Sequence, residues 1–327
     1  MADLSDDEQI VPVPPPWKLK ATVYMLSFWS SKGSVTRGKD SGKGEREHGP
    51  STIAYSPLEA KSPFADPAAS GEHLGGLSQI QILRYTESPV GTYDELIICP
   101  GSFAYEKDDG KGKGKRMKSL RITRIYVSRK KTCWNGRSNW NIPKHLARFE
   151  WNESPDGKMR VRVYPRDSTA PSDGGHGLAS EPGSHEQPFF QATFQPIRWT
   201  PSFPFSLSWL KYAGIDTALV QPPLPNGRQS DSRLGEELVG TSRWCEITPT
   251  LSTRKATLGW IDMSQHNHNA SDDDDDGDSN RDRGRSSDVK HDNFWPGLRR
   301  WNVAIKMENA DITFDEGVHW CPPLIDL

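Results

Sequence analysis

The sequence predicts a mainly β protein, a closed β-barrel or β-cone of about ten short antiparallel strands with a few short helices and long polar insertions. Two observations predict this fold class. Apolar and β-branched residues occur in short runs, several of them close to strict alternation. The runs are separated by turn residues, and the 327 residues include 28 glycines and 26 prolines. Short alternating runs between turn signals are typical of barrels and sandwiches.

The predicted strands follow one another along the whole chain. Each combines aromatic or β-branched residues with flanking turn residues, and the run at 79–85 comes closest to strict alternation. In chain order they are residues 17–29, 79–85, 93–100, 120–128, 147–151, 159–164, 189–194, 241–248, 256–263 and 302–308.

Two helices are predicted, at residues 56–69 and 140–146. Three prolines fall inside the first segment, so we expect it to be short or broken, because proline removes a helical hydrogen bond. Pro143 limits the second segment in the same way.

We predict a single domain over residues 14–327, preceded by a flexible N-terminus at 1–13. Five polar stretches rich in Gly, Ser and charged residues cannot bury enough apolar surface to offset the entropy of ordering. We expect them to be disordered insertions. They lie near residues 31–51, 106–119, 166–187, 221–237 and 264–292.

Charge and hydropathy narrow the range of partners and compartments. The net charge of −2 gives no field to attract nucleic acid, and no apolar run is long enough for a membrane span. The N-terminus lacks the pattern of a secretory signal and the four cysteines form no CxxC pair, so we predict a cytoplasmic protein. The acidic run at 272–276 is typical of a solvated loop, and we predict neither a metal site nor a cofactor.

Two segments contain residues suited to chemistry. The first reads Gly-Thr-Tyr-Asp-Glu at 91–95, and the second has Gly-Arg at 136–137 followed by Pro-Lys-His-Leu at 143–146. In order and spacing these segments resemble the acetoacetate decarboxylase superfamily. That family has a Gly-x-Tyr-x-Glu element, then a Gly-Arg turn, then a Phe-Pro-Lys-Lys-Leu type of element. The similarity covers roughly residues 85–151.

The resemblance implies a β-cone around a mostly apolar cavity. It also implies that Lys144 is the Schiff-base lysine and that Glu95 is the active-site glutamate. We take Arg137, His145 and Tyr93 as candidate substrate-binding residues. Alternatives remain open for single residues: Lys144 as a lysine at the barrel rim that extends to solvent, and Arg137 as a structural arginine of an Asn-Gly turn.

Imine chemistry requires a neutral amine. A lysine in water, with a pKa of about 10.4, is almost entirely protonated at neutral pH. An apolar cavity or a neighbouring cation disfavours the ammonium, whereas a neighbouring carboxylate favours it. We therefore expect Glu95 not to pair tightly with the free amine of Lys144.

The chain departs from the family pattern in two places. His145 stands where the decarboxylase has a second lysine, so activation of Lys144 is expected to depend largely on desolvation. The first strand has no arginine over residues 24–29, where the family has one that binds the substrate carboxylate. This apolar stretch favours a substrate larger or more hydrophobic than acetoacetate.

The sequence therefore favours an acetoacetate decarboxylase-like lyase that acts on a β-keto acid or related carbonyl compound through a lysine Schiff base. An alternative is a non-catalytic β-cone that binds an apolar small molecule, polyketide-like, terpenoid or fatty. A weaker alternative is an interaction scaffold built on the long insertions. The expected partner is a small carbonyl or apolar molecule, and the resemblance implies assembly into a homo-oligomer.

Overall fold

The computed structural model describes residues 9–32, 55–108, 114–166, 188–228, 235–263 and 301–321. The strands are β1 (Trp17–Ser30), β2 (His73–Glu87), β3 (Tyr93–Cys99), β4 (Ser102–Asp108), β5 (Gly114–Leu120), β6 (Arg124–Val127), β7 (Lys144–Glu153), β8 (Met159–Pro165), β9 (Phe190–Pro196), β10 (Phe203–Ser206), β11 (Leu219–Gln221), β12 (Trp244–Ile247), β13 (Thr250–Asp262), β14 (Trp301–Phe314) and β15 (Val318–Trp320). The helices are α1 (Pro57–Ala60), α2 (Pro67–Ser70) and α3 (Lys130–Trp140), with 3-10 turns at Pro63–Ala65 and Leu207–Ala213.

Nine strands close into a barrel in the order β1-β14-β13-β9-β8-β7-β6-β3-β2, and pairing of β1 with β2 completes the ring. The predicted mainly β class with a closed barrel is confirmed. One barrel pair departs from the antiparallel prediction, because β6 and β7 run parallel. A parallel pair needs a crossover connection, and α3 provides it. This crossover places the start of β7 directly after the helix.

The two faces of the barrel wall pack against different cores. One core takes a buried side chain from each of the nine barrel strands, for example Leu96 of β3 and Ala147 of β7, and so fills the barrel. The other core lies outside the wall and includes Tyr93, Ile97 and Leu146 together with residues of α3, β5, β11 and β12. Because successive strand residues point to opposite faces, Glu95 and Lys144 belong to this outer core.

Strands β4, β5, β11, β12 and β15 extend the sheet beyond β2, whereas β10 pairs with β13. Strands β4 and β5 form an antiparallel hairpin paired from Ser102↔Leu120 to Asp108↔Gly114. We expected disorder over 106–119, but residues 106–108 and 114–119 lie in this hairpin. The segment is polar and buries little apolar surface, but hydrogen bonds between the two strands order it. Strand β5 then pairs in parallel with β11, which leads to β12 and β15.

The helices differ from the sequence expectation at one site. The predicted helix at 140–146 is wrong, since α3 ends at Trp140 and β7 begins at Lys144. Asn141 adopts a left-handed conformation (φ 54°) and caps α3, a position that favours Asn or Gly. The segment 56–69 is broken into short turns, each beginning at a proline, as the sequence predicts.

The structure describes only part of the other predicted insertions and of the N-terminus. Most of 31–51, 166–187 and 264–292 lies outside them. Residues 11–13 are held against α3, because Asn135 donates to the carbonyl of Val11 and accepts from the amide of Val13 at 2.7 Å. No helix of the described residues is long and apolar enough to cross a membrane.

Candidate active site

Lys144 reaches the site by passing along one face of α3. A Cβ atom added to Gly136 would lie 2.6 Å from Cδ and 2.7 Å from Cε of Lys144. Such contacts are shorter than carbon atoms tolerate. Gly136 is therefore required for the extended path of the lysine side chain. The Gly-Arg element of the sequence lies inside the helix and not in a turn.

The amine of Lys144 is buried and held by two acceptors. Its Nζ donates to Glu95 Oε2 at 2.7 Å and to Thr132 Oγ1 at 2.9 Å, and it lies 5.2 Å from the ring centre of Tyr93. Lys144 is 5% exposed and Glu95 is 2% exposed. The expectation that the amine and the carboxylate stay apart is wrong. Two charges taken out of water are tolerated only when they compensate one another.

Tyr85 binds the second oxygen of the same carboxylate. Its hydroxyl donates to Glu95 Oε1 at 3.0 Å, and its ring stacks on Tyr93 with 4.3 Å between centroids. Burial, and then the charge of Glu95, raise the pKa of both tyrosines well above 10. Both phenols therefore stay neutral near pH 7, and Tyr85 acts as a hydrogen-bond donor to Glu95.

A cavity of about 70 Å³ adjoins this group on the outer face of the wall. It is bordered by Tyr85, Leu83 and Ile97, which share a face with Glu95 because Leu83 pairs with Glu95 across β2 and β3. Met25 also borders the cavity. It belongs to the stretch of the first strand, residues 24–29, in which the family has an arginine and this chain has none. None of the described residues that line the cavity is charged. The resemblance implied a cavity enclosed by the cone, whereas this apolar cavity lies outside the filled barrel.

Arg137 and His145 do not join the amine but meet at Glu59 of α1. Arg137 Nη1 donates to Glu59 Oε1 at 2.8 Å, and His145 Nε2 lies 2.6 Å from Glu59 Oε2. Burial alone raises the pKa of Glu59, but the charges of His145 and Arg137 outweigh it and lower the pKa to about 2. Arg137 also donates to the main-chain carbonyls of Lys144, Pro225 and Val239. This cluster ties α1, α3 and β7 together.

Three residues of the two clusters were not found from the sequence: Thr132, Tyr85 and Glu59. Thr132 lies one helical turn before Gly136, so both face Lys144, but this signal is visible only once α3 is known. Tyr85 pairs with Tyr93 across β2 and β3, which requires the strand register. Glu59 lies in a proline-rich segment with no pattern of its own. Among the described residues no group of three or more His, Cys, Asp or Glu side chains could hold a metal ion. The run at 272–276 lies outside them.

Comparison with solved structures identifies the architecture. The chain is similar to acetoacetate decarboxylase from Legionella pneumophila subsp. pneumophila str. Philadelphia 1, with 12% sequence identity and a TM-score of 0.50 over 98% of this chain and 96% of that chain. A second acetoacetate decarboxylase structure gives 11% identity and a TM-score of 0.51, over 96% of this chain and 92% of that chain. No protein-family model and no curated protein matches the sequence. The chain therefore has the fold of the acetoacetate decarboxylase superfamily.

Proposed function

We propose that the chain is a lyase that acts on a small carbonyl acid through an imine on Lys144. The observation that carries the proposal is the buried amine of Lys144, hydrogen-bonded at 2.7 Å to the buried carboxylate of Glu95. The other oxygen of this carboxylate accepts from Tyr85, which borders the apolar cavity. An amine that faced solvent would favour a rim lysine instead. The fold and the order of the two sequence segments agree with this assignment, but they support it only by analogy.

Glu95 supplies the step that makes the amine nucleophilic. In the proposed resting state the pair is an ammonium and a carboxylate, with Nζ 2.7 Å from Oε2. A substrate that fills the cavity excludes water, and in a dry site the charge-separated pair loses much of its advantage over the neutral pair. The proton then passes to Glu95, and the free amine attacks the carbonyl carbon.

The remaining steps use the same two groups. Loss of water from the adduct gives a cationic imine, which accepts the electron pair released when the carboxylate β to it leaves as carbon dioxide. Glu95, held by Tyr85, gives its proton to the departing hydroxyl, which leaves as water, and a proton taken up from solvent protonates the enamine carbon that forms after carbon dioxide has left. Hydrolysis of the imine then frees the ketone and restores the ion pair.

The size of the cavity bears on the substrate class. One water needs roughly 10–15 Å³ of such space, so 70 Å³ accommodates a molecule of roughly five to seven heavy atoms. This volume supports a small keto acid rather than the larger hydrophobic substrate expected from the first strand. It also argues against a terpenoid or fatty ligand, and therefore against the non-catalytic binder.

Borohydride trapping tests the proposal. The protein is incubated with acetoacetate, reduced, digested and mapped by mass spectrometry, with Lys20→Ala as a control because Lys20 is an exposed lysine far along β1. We expect an isopropyl group on Lys144, which marks an imine reduced after carbon dioxide has left. We also expect faster carbon dioxide release than from Lys144→Ala. The absence of any adduct on Lys144, in protein shown to be folded, refutes the imine mechanism.

A further inference from the structure

One end of the nine-stranded barrel opens into a polar cleft of about 680 Å³. We call this cleft the barrel mouth. It is bordered by Thr22, Tyr24, Arg84, Asp94, Lys306 and Glu308, which come from β1, β2, β3 and β14. These side chains lie on the inner face of the wall, above the core that fills the barrel, since Tyr24 belongs to both. The proposed reaction uses none of them.

Arg84 is the cation best placed to receive an anion in the barrel mouth. Its guanidinium lies 4.8 Å above the ring of Trp151, which holds it in place. Its carboxylate neighbour among the described residues is Asp94, with 3.8 Å between Nε and Oδ1. That distance is too long for a good hydrogen bond, so the fork of N–H donors remains available for a planar carboxylate.

The acidic residues of the barrel mouth are partly compensated. Glu308 lies within ion-pair distance of both Lys255 and Lys306. Burial raises the pKa of Asp94 and so disfavours its charged form, which weakens its attraction to Arg84. Glu153 is the third acid that borders the cleft, and Arg129 is the third cation. The distance from Arg84 Nε to Asp94 Oδ1 is 3.8 Å and that from Lys306 Nζ to Glu308 Oε1 is 3.3 Å, so Arg84 is held less closely by its carboxylate than Lys306 is.

The barrel mouth shares a wall with the site of Lys144. Tyr85 borders both the mouth and the 70 Å³ cavity, and Tyr93 borders the mouth while its ring centre lies 5.2 Å from Lys144 Nζ. The stacked tyrosines are thus the partition between the two spaces. A molecule held by Arg84 lies next to this partition.

We propose that the barrel mouth is a binding site for a small organic carboxylate, in which Arg84 receives the carboxylate group. The binding site stands on the geometry of the cleft. Its use as the access route to Lys144, past the tyrosine partition, rests on the proposed function. This site supplies a guanidinium group for an acid, which the first strand, without an arginine, and the 70 Å³ cavity, without a charged lining residue, do not supply.

The test compares an acid with its uncharged ester. Binding of acetoacetate and of methyl acetoacetate is measured by calorimetry on a Lys144→Met background, so that imine chemistry does not contribute. We expect tighter binding of the acid, and Arg84→Gln to weaken acid binding by roughly tenfold or more while leaving the ester unchanged. Arg84→Lys should lose part of this affinity, because an ammonium lacks the bidentate fork.

Arg198→Gln is the matched control, because it removes the same charge from a side chain that is 76% exposed and outside the cleft. Equal affinity for acid and ester, or an equal loss in Arg84→Gln and Arg198→Gln, overturns the proposal. Thermal unfolding of each variant shows whether the fold is intact. Arg84-dependent acid binding without trapping at Lys144 would leave this site standing and refute only the imine mechanism.

Discussion

Replacing Gly136 with alanine should move the side chain of Lys144 without unfolding the helix. The new Cβ would lie 2.6 Å from Lys144 Cδ, whereas carbon atoms pack at about 3.5 Å or more, so the lysine side chain must shift by about 1 Å. A displacement of this size at a reacting group costs about 100-fold in rate. Alanine also gains about 1 kcal/mol in helix propensity over glycine, which offsets the cost of repacking.

The assay is the rate of borohydride trapping of acetoacetate, measured beside a thermal unfolding curve. Ser138→Ala is the matched control, since it changes another residue of α3 to alanine without facing the lysine path. We expect Gly136→Ala to trap about 100-fold more slowly at an unchanged unfolding midpoint. A trapping rate equal to that of the control would refute the argument that Lys144 needs the space left by Gly136.

Two further predictions concern the buried charges. Lys144→Met and Glu95→Gln should each lower the free energy of unfolding, measured in urea, by about 3–5 kcal/mol, because each leaves a buried partner uncompensated. The double variant should lower it by clearly less than the sum of the two single losses. Additive losses would contradict the pairing. Because the pKa of Glu59 is lowered from 4.5 to about 2, its stabilisation is present above pH 4.5 and is lost as the pH falls toward 2. It amounts to about 3 kcal/mol, and unfolding of Glu59→Gln should lack this part of the pH dependence.

Local alternation made part of the site predictable. Tyr93 and Glu95 are two residues apart on one strand, so the sequence alone places them on the same face. Lys144 was identified differently, because only the resemblance of the Gly-Arg and Pro-Lys segments to the family pattern indicated it. What the sequence could not show is the 2.7 Å contact between Lys144 and Glu95. That contact depends on β6 lying between β3 and β7, which is a property of the topology.

Helix α3 shows a second limit of local prediction. Its sequence combines Thr, Asn, Gly and aromatic residues, none of which favours a helix, and its Asn-Gly pair is a strong turn signal. Tertiary contacts override these preferences. Cys133 and Trp140 pack into the outer core, and Asn135 binds the main chain of residues 11–13. The helix forms because the crossover from β6 to β7 must cover the barrel wall. Helix propensity depends on local sequence only and therefore cannot indicate this requirement.

The residue after Lys144 is less important to the proposed mechanism than the family pattern suggests. His145 follows Lys144 on β7, so its side chain points to the opposite face, where it meets Glu59 at 2.6 Å. A lysine at this position would point the same way and would pair with Glu59 rather than repel the amine of Lys144. Absence of a second lysine therefore does not remove an activating cation from the site. The groups that contact the amine are Glu95, Thr132 and the ring of Tyr93. In the proposed mechanism, activation of the amine therefore depends on exclusion of water and on proton transfer to Glu95.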